Sequence, residues 1–112
     1  MNDLSWKEFE RIELRVGTIL SAEIFKEART PAIKLSIDFG NDVGIRKSSA
    51  QITDHYLPEE LIGKQISAVV NFPKKQIGPM MSECLVTGFI QDDGSVILAV
   101  PDKVSKNGAR LA

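Results

Sequence analysis

Two runs of this chain concentrate groups that can hold an anion or a peptide oxygen. Arg46-Lys47-Ser48-Ser49-Ala50-Gln51 places two cations, two hydroxyls and a carboxamide within six residues. Donors of this kind satisfy phosphate or peptide oxygens, and they also suit the polar outer face of a strand. The second run, Ala68 to Ser82, begins as a strand with Ile66, Ala68, Val70 and Phe72 on one face by period-2 spacing, then breaks at Pro73. Beyond the break come Lys74, Lys75, the Gly78-Pro79 punctuator, Met80 and Met81, and from Leu61 to Ser82 the only charges are Lys64, Lys74 and Lys75. The expectation is a flexible, cationic, partly apolar loop beside a rigid strand end, a common position for binding groups. A solvated connection whose methionines pack inward fits the same residues.

Other chemistries find little support. Cys84 is the single cysteine and His55 the single histidine, so no intrachain disulfide and no cysteine-rich metal site can form. Cys84 has no cation or histidine beside it in sequence and reads as a small core residue. His55 has no neighbouring Ser or Cys to activate and reads as a surface or packing residue. Glu59-Glu60 sits at a predicted helix start, where acids are stabilising without any catalytic task. The expectation is therefore a protein that is not an enzyme and holds no metal and no cofactor. With 14 Lys and Arg against 15 Asp and Glu, the net charge is -1 and does not advertise nucleic acid. Segregation is local: Asp3, Glu8, Glu10 and Glu13 crowd the start, and Arg29, Lys34, Arg46 and Lys47 lie in the middle. The opening residues lack a basic stretch followed by an apolar core, and no apolar run approaches membrane-spanning length. A cytoplasmic protein without a membrane span is expected.

Several elements must position these groups. Ser5 with Glu8 three residues on forms a capping box, with Leu4 and Phe9 as a hydrophobic staple, for a helix ending near Arg11. Its apolar residues Trp6, Phe9 and Ile12 need a surface to dock on, in the same chain or across a dimer interface. A long strand from Glu13 to Phe25 directs Leu14, Val16, Leu20, Ala22 and Ile24 to one face, with Gly17 as the expected bulge. Ala32 to Phe39 alternates strictly, with Ile33, Leu35, Ile37 and Phe39 inward, and Gly40-Asn41-Asp42 reads as a tight turn into a third strand. Thr53 to Gly63 is the internal helical stretch, from which Tyr56, Leu57, Leu61 and Ile62 would plug a barrel end. Glu83 to Ile90 reads as a strand covered on both faces, and Val96 to Val100 as a last strand before an irregular tail. The 112 residues suit a single domain. A helix inserted between the third and fourth strands of a small antiparallel barrel is the plan of the OB fold: all-β, a five-stranded Greek-key barrel with a short N-terminal helix and an additional C-terminal strand.

Leu14-Arg15-Val16-Gly17-Thr18-Ile19, Lys47-Ser48-Ser49-Ala50-Gln51-Ile52 and Val69-Val70-Asn71-Phe72-Pro73-Lys74-Lys75 with Ser82-Glu83 resemble the tRNA-binding domain family. That family includes the domain appended to methionyl- and phenylalanyl-tRNA synthetases, and the resemblance is strongest to its free-standing CsaA type. It implies an OB-fold homodimer joined through the terminal segments, with affinity for tRNA. For the CsaA type it also implies an export-related chaperone that holds unfolded precursor proteins. Carried over by position, Lys47, Ser48, Ser49, Gln51, Asn71, Lys74, Lys75 and Ser82 would contact nucleic acid, and Arg46 of the donor-rich run is expected to join them. The stretch from Gln76 to Met81 departs from the family by being more apolar, and Phe72, Ile77, Met80 and Met81 would suit apolar peptide segments.

Overall fold

The structure is a computed structural model describing residues 1–112. It opens with helix α1 (Trp6–Glu10), whose start has the expected capping box: Ser5 Oγ accepts from the Glu8 N–H at 3.1 Å, and the Glu8 carboxylate accepts from the Ser5 N–H at 3.0 Å. Strands β1 (Leu14–Ile24), β2 (Ile33–Asp38) and β3 (Ile45–Ala50) follow, then helix α2 (Pro58–Leu61), then β4 (Gln65–Val69), β5 (Lys75–Ile77), β6 (Met80–Ser82), β7 (Leu85–Val86), β8 (Gly88–Ile90) and β9 (Val96–Leu98). The main sheet runs β3-β2-β1-β4-β7, antiparallel throughout, and the seam between β3 and β7 nearly closes it into a five-stranded barrel. The inserted helix between the third and fourth strands is present, as the OB plan requires.

The alternation of β2 holds. Ile33, Ile37 and Phe39 are fully buried and, with Ile19, Ile66 and Leu61, form the centre of the core. Each such side chain contributes on the order of 1.5–3 kcal/mol by leaving water. Leu61 is the residue of α2 that plugs the barrel, whereas Leu57 and Ile62 remain exposed, and helix forms only from Pro58, since residues 53–55 make a turn.

Four expectations need correction. The bulge of β1 lies between Ile19 and Ser21, one turn of the pleat beyond Gly17. It shifts the inward parity: Gly17 and Ile19 face the core before it, Ala22 and Ile24 share the face of Leu35 and Ile33 after it, and Leu20, at the bulge itself, is exposed, as is Ile24 at the strand end. Gly17 serves close packing instead: a Cβ there would stand 2.6 Å from Ile37 Cγ2 and 2.7 Å from Phe39 Cδ1. The β2–β3 connection is wider than a tight turn, with Gly40 and Gly44 at positive φ and the Gly44 N–H donating to the Gly40 carbonyl at 2.7 Å. The segment after Pro73 is no open loop but a hairpin, β5–β6, turned by Gly78 at φ 54. Lastly, Glu83 to Ile90 is broken at Thr87 into β7 and β8, and Leu85, Phe89 and Ile90 face outward.

The C-terminal residues fill the edge of β1 that β2 leaves unpaired. The Gly108 N–H donates to the Val16 carbonyl at 2.7 Å, the Val16 N–H to the Ala109 carbonyl at 3.0 Å, and the Leu111 N–H to the Leu14 carbonyl at 2.9 Å. No helix is long and apolar enough to cross a membrane.

Candidate functional site

Strand period sorts the donor-rich run into two faces. Lys47, Ser49 and Gln51 point outward, while Arg46, Ser48 and Ala50 point inward. Ser48 is 1% exposed, and its hydroxyl donates to the Cys84 carbonyl at 2.9 Å, closing the barrel seam. Arg46 is half-buried and donates through Nη1 to the Val70 carbonyl at 3.1 Å, tying β3 to the end of β4. Asn71 is also engaged, with Oδ1 accepting from the Glu13 N–H at 3.1 Å and Nδ2 donating to the Arg11 carbonyl at 2.7 Å. These three polar residues hold strands and helix together, which leaves Lys47 and Ser49 of β3, and Gln51 just beyond it, as the groups facing a ligand.

The register across the sheet adds residues that the donor-rich run alone does not indicate. Ser36 pairs with Lys47, and Lys34 with Ser49, so both lie on the same outer face. Their outward direction follows from the strict alternation of β2, and that was the available signal. Lys34 is already engaged: Nζ sits 3.0 Å from Glu23 and 5.4 Å over the Phe25 ring. The Glu23 partner holds the Lys34 ammonium above its ordinary value.

The β5–β6 hairpin walls two grooves. One, of about 610 Å³, lies over the sheet face and takes in Ser21, Ser36, Lys47, Met81 and Glu83. The other, of about 680 Å³, runs between β3 and the hairpin. It brings together seven of the residues singled out in the sequence: Ser49, Gln51, Phe72, Lys74, Lys75, Ile77 and Ser82. Its floor is apolar, formed by Ala50, Ile52, Val86 and Val96. Phe72 is 54% exposed at its rim. Met80, by contrast, is 9% exposed and packs with Phe25 and Ala32 in a small second core, so it anchors the hairpin and offers only a small surface to the first groove; Met81 alone of the pair is exposed.

Glu83 is the feature that sequence reading undervalued. Its carboxylate accepts from the Lys47 N–H at 3.0 Å and lies 3.4 Å from Lys74 Nζ. The Lys47 N–H bond, followed by the Lys74 and Arg46 charges, holds this carboxyl below its ordinary value against the opposing effect of burial. One acid thus partly neutralises the lysine cluster, leaving Lys47 and Lys75 as the least committed cations.

Neither Cys84 nor Ser95 is set up as a nucleophile. Burial pushes the Cys84 thiol up to about 11, away from the reactive thiolate. His55 Nε2 does lie 2.7 Å from Ser95 Oγ, but the Ser95 hydroxyl is 2.6 Å from Asp93 Oδ1. A hydroxyl has one proton, so Ser95 donates to Asp93 and accepts from His55, the reverse of activation. No group of three or more His, Cys, Asp or Glu is placed to hold a metal ion.

The chain is similar to known proteins over nearly its whole length. Residues 14–110 match the putative tRNA binding domain family. The methionine–tRNA ligase of Chlorobium chlorochromatii is 31% identical over 105 residues, which cover 94% of this chain and 14% of that protein. The chain thus spans about a seventh of the length of such curated relatives. Among solved structures, the chaperone CsaA of Bacillus anthracis is 48% identical, with TM-score 0.92, over 99% of this chain and 100% of that one. The CsaA chaperone protein of Picrophilus torridus is also 48% identical, with TM-score 0.91, over 98% and 100%. A protein of Pyrococcus horikoshii described as related to methionyl-tRNA synthetase is 32% identical, with TM-score 0.87, over the whole of both chains.

Proposed function

The chain belongs to the tRNA binding domain family and is of its CsaA type, and from that premise we propose that it is an export-related chaperone that grips unfolded precursor polypeptides in the cytoplasm. The observation that carries the reading is the groove between β3 and the hairpin, whose apolar floor is bordered by Phe72, Ile77, Lys74 and Lys75. An apolar trough with a cationic rim takes extended apolar chain without demanding one sequence. Suppression of the aggregation of a denatured precursor protein tests it. Phe72→Asp should abolish suppression while the melting temperature stays within about 4 °C, the shift that 1 kcal/mol produces in a domain of this size. Undiminished suppression refutes the assignment of this groove.

The active form we propose is a homodimer joined through the terminal segments. Trp6 is 80% exposed and Ile12 is exposed as well, so that of the apolar residues of this segment only Phe9 is half-buried against its own chain. Val104 and Leu111 are likewise exposed at the other end. An exposed tryptophan on a five-residue helix is what a partner surface would cover. Light scattering at micromolar concentration should give twice the chain mass, and Trp6→Ala should shift it toward the monomer; a monomeric wild type refutes the proposal.

A second reading, tRNA binding, is favoured by family membership and by the exposed Lys47, Lys74 and Lys75 around the grooves. It is compatible with the first. Lys74→Ala with Lys75→Ala should lower the dependence of tRNA affinity on salt, because a phosphate that no lysine neutralises keeps its condensed counterions on binding.

A further inference from the structure

The edge of β3 is only partly used. The pairs of β3 with β2 leave the main-chain groups of Lys47 and Ser49 directed away from the sheet interior, and Gln51 continues this edge just past the last pair, Ile33 with Ala50. At Lys47 both are taken, the N–H by the Glu83 carboxylate and the carbonyl by the Glu83 N–H at 2.8 Å. At Ser49 the N–H has only Ser82 Oγ, at a long 3.4 Å. At Gln51 no intramolecular hydrogen bond reaches the N–H at all. The seam is closed at Lys47 and open from Ser49 onward, and the open stretch is one wall of the apolar groove.

We propose that a short extended polypeptide segment adds to the barrel as a strand along this open edge, hydrogen-bonded to the main chain of Ser49 and Gln51. The inference rests on the reading of the protein as a binder of unfolded polypeptide and specifies how that binding is made. An added strand directs every second side chain toward Ile52, Val86 and Val96 on the groove floor and the others outward beside Lys75. The preferred segment therefore alternates apolar and polar residues and carries an acid among the outward ones. Glu83 fixes where the added strand stops, because its carboxylate already occupies the Lys47 N–H. Main-chain bonding reads no side-chain identity, which suits a site that must accept many sequences.

The test uses the wild-type protein and a fluorescein-labelled peptide of alternating valine and threonine with one glutamate, read by anisotropy. N-methylation at every second residue removes the amide protons on one edge of the peptide. One parity should lower affinity about tenfold or more, the loss of one to two hydrogen bonds, and the other should leave it within about twofold. Gln51→Pro, which deletes the free N–H at no cost in folded-state bonds, should reproduce the loss with an unchanged melting temperature. Equal tolerance of both methylation parities overturns strand addition and leaves polypeptide binding standing. Failure of the unmethylated peptide to bind overturns both. Loss of tRNA affinity in Gln51→Pro with peptide affinity intact assigns the edge to nucleic acid and overturns the proposal.

Discussion

Replacing Glu83 by glutamine removes the one negative charge set among Lys47, Lys74 and Lys75. The amide oxygen can still accept from the Lys47 N–H, now at 3.0 Å from the carboxylate, so the β3 seam keeps its bond. What disappears is the ion pair with Lys74, whose ammonium is well exposed, and an exposed pair of this kind is worth at most about 1 kcal/mol. The fold should persist and the local charge should rise from two to three. If Lys74 then engages a phosphate, one further neutralised phosphate adds about 0.7 to 0.9 to the slope of log affinity against log salt. Over a fourfold rise in salt, from about 50 to about 200 mM, that multiplies the fall in tRNA affinity by roughly 2.6 to 3.5. Anisotropy titrations of labelled bulk tRNA across this range measure the slope directly. Glu83→Ala is the control for architecture: it hands the exposed Lys47 N–H to water, costs about 0.5–1.5 kcal/mol and lowers the melting temperature by a few degrees. A slope for Glu83→Gln equal to or shallower than wild type would refute the argument that Glu83 masks a phosphate-binding lysine.

Gly17→Ala should destabilise the protein by about 1–3 kcal/mol, because the added methyl meets Ile37 and Phe39 at under 3 Å in a fully buried core; a melting temperature equal to or above wild type at the same protein concentration would show that the core yields. Cys84 should resist a thiol-specific disulfide reagent at pH 8 in the native state and react at once in denaturant, since burial raises its ionisation to about 11; rapid native labelling would contradict its placement. Glu8, Glu13, Glu83 and Asp93 all have folded values below their ordinary ones, mainly through hydrogen bonds to Ser5, Arg15, Lys47 and Ser95 respectively. Their contribution to stability is complete above the ordinary carboxylate range and is lost as pH falls below it, so the denaturant midpoint should be flat from neutrality to about pH 5 and decline beneath that. A midpoint that rises on acidification would reverse the sign.

What was legible in the sequence was local. The capping box at Ser5 and the alternation from Ile33 to Phe39 depend on neighbours along the chain, and both stand in the structure as read. The exposure of Leu20 depends on the bulge of β1 against β2, set across the sheet, and there the pattern of apolar residues misled. The hairpin β5–β6 has three residues in each strand, too few for a period to declare itself. At the candidate site, period 2 already separates Lys47, Ser49 and Gln51 from Arg46 and Ser48. The engagement of Asn71 with Glu13 and Arg11 and the burial of Met80 beneath Phe25 could not be read, since each needs partners about fifty to sixty residues away.

The pairing of the C-terminal segment with β1 carries a consequence for the order in which the molecule is made. Val16 and Ala109 are separated by about ninety residues of chain, so on the ribosome the first half of β1 waits for that length of chain to be made before its second neighbour emerges. Until then its outer edge is an unpaired strand, bordered by Leu14 and Val16, and open to pairing with a nascent neighbour. Closure of so long a loop costs about 4 kcal/mol in chain entropy by the logarithmic law if made from an unfolded chain, and far less once the barrel has formed. The segment from Lys106 to Ala112 therefore acts as a latch set after the barrel is built, and removing it should appear first as clumping of newly made chains and only second as a lower melting temperature.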